Sequence, residues 1–237
     1  MIQNNNNFEG VENYYIDFAN NDMFRASNNA SDNGYIFDRQ INVAKEIVKT
    51  FLNKNTRRNH LILNAQMQSG KTSVINATLN IVNSLHLESV MGINKYFILT
   101  GMNDVMLRNQ TYERLIEQVK MANTTNSYFT KKHSKHDSNK YYVIKNSDLM
   151  AYEGTLENSL IFIDESHYGS NDKNILSQFL YKHGINWKDE NSLIQKNIYI
   201  VSVSATPFNE IISDTVNAKK CIKLDCDDSY VGVKFLK

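Results

Sequence analysis

Gly70-Lys71-Thr72 stands between two segments of different periodicity, and few folds accommodate that order. Upstream, Leu61-Ile62-Leu63-Asn64-Ala65 is short, apolar and β-prone; downstream, a helical pattern opens at Ser73-Val74-Ile75 and continues through Thr78, Ile81, Val82 and Leu85. Strand, loop and helix in that sequence make a phosphate-binding loop. Backbone N–H groups of Gln66, Met67, Gln68, Ser69, Gly70, Lys71 and Thr72 point at the phosphates, and the helix dipole adds positive potential. Lys71 is placed to reach the β and γ phosphates, and the Thr72 hydroxyl to hold Mg²⁺. The expected ligand is therefore ATP with Mg²⁺. Ala65 stands where the general pattern has glycine, and Gln68 where another glycine is frequent, so the Gln68 side chain must point away from the phosphates.

A second constellation fits the first. Leu160-Ile161-Phe162-Ile163 reads as a strand buried on both faces, and it runs out into Asp164-Glu165-Ser166-His167. Buried strands seldom end in paired acids for structural reasons. Asp164 is expected in the Mg²⁺ shell, and Glu165 is expected to orient and deprotonate the attacking water in hydrolysis of the γ phosphate. A further strand, Ile198 to Val203, leads into Ser204-Ala205-Thr206-Pro207. Pro207 stops the ladder and leaves the hydroxyls of Ser204 and Thr206 at the same carboxyl edge as Asp164.

Strands alternate with helices along the chain, which implies an α/β domain with a mostly parallel sheet and helices on both faces. Lys95 to Gly101 is the expected second strand and Asn103 to Met121 its helix; Tyr141 to Lys145 is a strand, with a helix start at Asn146-Ser147-Asp148. A helix spans Lys173 to His183, Trp187 to Lys196 is a polar connector, and Cys221 to Asp225 is a possible further strand. Ligands of such sheets lie at the carboxyl ends of the strands. Thr100, Gly101, Arg108 and Gln110 are placed where a nucleic-acid backbone can lie across that edge; the alternative for Arg108 and Gln110 is a solvated helix face. Upstream, Ile41, Ala44, Ile47, Val48, Phe51 and Leu52 mark a helix with Asp38 as its N-cap. Gln40 lies at its start. A primary amide offers an acceptor and a donor side by side, matching the adenine edge, so Gln40 is the candidate adenine reader, or else a helix-surface residue.

Length allows one large α/β domain with an extension, since 237 residues bury a substantial core. Residues 1–34 are Asn-rich with scattered aromatics and read as a partly disordered arm; residues 35–237 are the domain. A formal charge of +1 carries no global polyanion signature, so a nucleic-acid contact must come from a local patch. The basic stretch with Lys131, Lys132, His133, Lys135 and His136 is either a solvated loop or such a patch. Cys221 and Cys226 are too few for a disulfide framework or a four-ligand zinc site. Neither a signal pattern nor a membrane-spanning run is present, which places the expected protein inside the cell and in solution.

Together, Ala65 to Thr72, Asp164-Glu165-Ser166-His167 and Ser204-Ala205-Thr206 resemble, in order and spacing, the first-lobe motifs of superfamily-two helicases and translocases of the DExH type. The resemblance covers Phe37 to Pro207 and implies a RecA-like P-loop NTPase lobe. It sets Gln40 at the adenine-reading motif and Thr100-Gly101 at the strand-contacting one. It also implies that His167 bonds toward the Ser204 and Thr206 loop, coupling the ATP state to the grip on DNA or RNA. A looser likeness is to phage and restriction-associated ATPases, carried by Gln68-Ser69-Gly70-Lys71-Thr72, a Thr-Gly strand end followed by Leu107-Arg108 and Gln110-Thr111, and Tyr230-x-Gly232. Such motors are similar in having a second RecA-like lobe that supplies arginine fingers, worth roughly 10³ to 10⁵ in rate. No second lobe fits after Pro207. The expectation is an ATP-hydrolysing lobe of a helicase or translocase, weak by itself and completed in the same or a partner chain. The competing readings are an ATP-dependent switch or scaffold module without unwinding, and the motor part of a restriction or nuclease assembly.

Overall fold

The computed structural model of the protein describes residues 38–53, 58–66, 69–83, 90–100, 106, 108–113, 115, 140–164, 175–186, 189–205 and 220–224. The apolar runs become strands β1 (His60–Ala65), β2 (Lys95–Thr100), β3 (Tyr141–Lys145), β4 (Ser159–Asp164), β5 (Ile198–Ser204) and β6 (Lys220–Leu224). They form one sheet in the order β3-β2-β4-β5-β1-β6, every pairing parallel. Parallel neighbours require crossover connections. Ahead of the first strand lies α1 (Asp38–Leu52); α2 (Lys71–Asn83) lies between β1 and β2, a 3₁₀ helix over Asn146–Ala151 between β3 and β4, and α3 (Ile175–Lys182) and α4 (Glu190–Gln195) between β4 and β5. Residues 106, 108–113 and 115, within the helix expected after β2, are helical.

Alternation along each strand sends apolar side chains to both faces. Leu61, Leu63, Phe162, Val201 and Val203 pack on one side against α1 and α2, through Ala44, Ile47, Val48 and Val74. Phe97, Leu99, Ile161, Ile163 and Ile200 pack on the other against Leu176, Phe179, Leu180 and Leu193. A sheet covered on both faces explains why its strands read as continuous hydrophobic runs. Among the described residues no helix is long and apolar enough to cross a membrane.

Two boundaries differ from the sequence reading. The helix α1 begins at Asp38, so the expected cap is its first residue, a one-residue ambiguity common at helix ends. The expected polar connector from Trp187 to Lys196 contains α4, capped where the Asp189 carboxylate accepts from the Asn191 N–H at 3.0 Å. Only Leu193 of α4 is buried, so six residues carry no readable apolar stripe. The end of α3 is sharper: Gly184, at φ 69°, lets the Ile185 N–H reach the Leu180 carbonyl at 2.9 Å, and both apolar side chains join the core.

Candidate functional site

Sheet order decides what can meet. β5 lies between β1 and β4, so the strand feeding the phosphate loop and the strand ending in Asp164 are about 10 Å apart at the ordinary strand spacing. Register brings their ends level: Leu63 and Asp164 both align with Val203 of β5, and Asn64 aligns with Ser204. Thr100 of β2 aligns with Asp164 on one side and with Lys145 of β3 on the other. One row along the carboxyl edge therefore carries Lys145, Thr100, Asp164 and, one residue further, Ser204.

The loop after β1 turns quickly into α2. Ser69 N–H donates to the Gln66 carbonyl at 3.2 Å, and the Gly70 carbonyl accepts from Ser73 at 3.0 Å and Val74 at 3.2 Å, opening the helix. The first-turn amides of a helix have no intrahelical partner, and no acidic side chain stands in this first turn. Gly70 has φ 90°, in the left-handed region that favours glycine. From the head of α2, Lys71 Nζ reaches Asp164 Oδ1 at 3.5 Å, the Asp164 side chain being 31% exposed. The two motifs, far apart in sequence, share one accessible spot.

The residues present fit a Mg²⁺-bound phosphate. Within the loop, Ser69 Oγ is buried with no hydrogen-bond partner among the described residues, a polar atom left for something else to satisfy. Thr72 and Asp164 supply one hydroxyl and one carboxylate. Among the described residues no group of three His, Cys, Asp or Glu could hold a metal. Mg²⁺ suits that donor set, because it is ordinarily held by one or two carboxylates plus substrate phosphates rather than by a protein cage.

Other expected residues fall at varied places. Gln40 is buried, 2% exposed, with Nε2 donating to the Ser69 carbonyl at 3.4 Å. Gln66 is exposed at the loop entrance, Thr100 and Ser204 are buried at the strand ends, and Gln110 is exposed on its helix. Arg108 is half-buried and held on the edge strand, Nε donating to the Val143 carbonyl at 3.3 Å and Nη1 to Asn109 Oδ1 at 3.3 Å. By strand alternation Asp164 and Thr100 face the α1 and α2 side, whereas Ser204 faces the α3 and α4 side. Met67, Gln68, Gly101, Glu165, His167 and Thr206 lie outside the described residues.

Two residues around the site-bearing strands were given no role by the sequence reading. Lys145 ends β3 level with Thr100 and pairs with Asp148 at 3.6 Å; being the last residue of a strand was its only signal. Glu190 anchors the foot of the loop strand, its carboxylate accepting from the N–H groups of Asn59 at 2.8 Å and His60 at 3.3 Å. That contact links positions 130 and 131 residues apart, and no local pattern marks it.

Residues 34–209 match the sequence profile of the family described as "Type III restriction enzyme, res subunit". No curated protein matches the chain. Among solved structures, the crystal structure of the DUF1998 helicase MrfA bound to DNA is similar at 15% identity and a TM-score of 0.49. The similarity covers 87% of this chain and 30% of that one, so the chain spans under a third of that helicase's length.

Proposed function

Because the chain belongs to the family of type III restriction enzyme res subunits, we propose that residues 35–237 form the ATP-binding and ATP-hydrolysing lobe of a nucleic-acid helicase or translocase, with residues 1–34 as an appended arm. The observation that carries this reading is the 3.5 Å approach of Lys71 Nζ to Asp164 Oδ1, which unites the loop and the acidic strand end at one accessible position.

The loop amides and the head of α2 cradle the triphosphate, and Lys71 swings from Asp164 onto the β and γ phosphates. Thr72 and Asp164 are the residues that would hold Mg²⁺, which when bound neutralises charge developing on the phosphates. Glu165 orients a water and takes its proton as the water oxygen bonds to the γ phosphorus; the bond from that phosphorus to the bridging oxygen breaks, leaving ADP and phosphate. His167, with Ser204 and Thr206, transmits the nucleotide state to the nucleic-acid track formed by Thr100, Gly101, Arg108 and Gln110. Of these, Gln110 is exposed for a direct contact, while Arg108 braces the edge strand from its helix. A second RecA-like lobe, in the same or a partner chain, supplies arginine fingers and the other half of the track.

The family's description favours one elaboration, in which this lobe drives a restriction or nuclease assembly. The test of the main reading is calorimetric. Mg·ATP should bind the wild-type chain, Lys71→Ala should abolish binding, and hydrolysis by the assembly completed with its second lobe should rise with DNA or RNA. Turnover indifferent to every nucleic acid tried would refute the motor role, while undiminished binding in Lys71→Ala would refute the site itself.

A further inference from the structure

Gln40 sits in the first turn of α1, and the packing of Ala44, Ile47 and Val48 against α2 determines where its side chain can go. It runs beneath the phosphate loop. A Cβ built on Gly70 would lie 1.9 Å from Gln40 Nε2 and 3.0 Å from its Cδ, so the amide fills the room that glycine leaves. At 2% exposure the amide is inside the protein, and its nitrogen donates to the Ser69 carbonyl.

That hydrogen bond has a geometric consequence. A trans peptide is planar, with its C=O and N–H pointing in opposite directions, and the described chain contains no cis bond. The Ser69 carbonyl and the Gly70 N–H belong to the same peptide. Holding the carbonyl toward α1 therefore turns the Gly70 N–H away from α1, which on the nucleotide-binding reading is the side of the phosphates. Glycine at φ 90° tolerates the flipped peptide as readily as this one, so the backbone alone does not choose.

Resting on the nucleotide-binding reading above, we propose that Gln40 is a positioning residue that locks the Ser69–Gly70 peptide with its N–H toward the phosphates, and that it contributes to affinity for the triphosphate rather than to choice of base. A base reader turns its amide to the adenine edge. Here the amide is buried, and its nitrogen already donates to the loop.

The experiment compares the full wild-type chain with Gln40→Ala and Gln40→Met, the second preserving volume and helix preference while removing the donor. Calorimetry measures binding of Mg·ATP, Mg·GTP and Mg·tripolyphosphate, the last having no base. The expected result is an equal loss, about tenfold, for all three ligands in both variants, the scale of one hydrogen bond in a buried site. In Gln40→Met this loss should come in a chain that still unfolds in one cooperative transition, with a displaced Gly70 amide resonance by NMR. A loss confined to ATP, with tripolyphosphate unaffected, would make Gln40 a base reader and overturn the proposal; so would unchanged affinity for all three. If Gln40→Ala does not fold, Gln40→Met alone decides. Wild-type protein that binds none of the three ligands would instead remove the nucleotide-binding reading, and this inference with it.

Discussion

Gly70 is constrained twice, by its own backbone at φ 90° and by the Gln40 amide that occupies the place a Cβ would take. Gly70→Ala should therefore be costly for both reasons. Backbone strain of this kind is worth about 1–3 kcal/mol, and displacing a buried amide adds to it. The variant should unfold at a lower urea concentration and lose Mg·ATP binding; a Gly70→Ala chain with wild-type midpoint and affinity would contradict the loop geometry. The Lys71–Asp164 pair is a different case. With the carboxylate 31% exposed it adds little to stability, and its importance lies in where it puts two chemically distinct groups. Gly-Lys-Thr was legible in the sequence because its function depends on neighbours in the chain. The Gln40–Gly70 contact was not, because its shape depends on how α1 leans on α2.

Strands read well here because a parallel sheet covered on both sides leaves unbroken apolar runs, such as Leu160 to Ile163, and all six expected or possible strands formed. The helix α4 was invisible for the converse reason: one buried leucine in six residues makes no period. Yet this short helix has an outsized structural duty. Its Glu190 satisfies the N–H groups of Asn59 and His60 at the foot of β1, the strand that aims the phosphate loop. Glu190→Ala leaves two backbone donors without their carboxylate in a partly buried place. A buried donor left unsatisfied costs about 1–3 kcal/mol, so the variant should lose about that amount by urea titration with an unchanged m-value. A loss below the error of the titration would show that water replaces the carboxylate there.

The site belongs to no single element, since the loop follows β1, the carboxylate ends β4, and β5 separates them. Register alone makes their ends level, and a sheet that slipped by one residue would turn Asp164 to the opposite face. On the proposed reading, ligand binding is therefore linked to the integrity of the central strands rather than to one loop. A ligand that binds only the folded chain stabilises it by about 2.7 kcal/mol at a hundred times its dissociation constant. Mg·ATP at that level should raise the urea midpoint by the corresponding amount and keep the transition single and cooperative. The rise should vanish in Lys71→Ala. It should shrink in Asp164→Asn, which keeps the shape of the strand end but removes the charge that a metal requires. If ATP bound with ordinary affinity while the midpoint stayed fixed, the nucleotide would have to be held by a part of the chain that remains structured when the sheet unfolds. The shared row of β1, β5 and β4 would then not be the site.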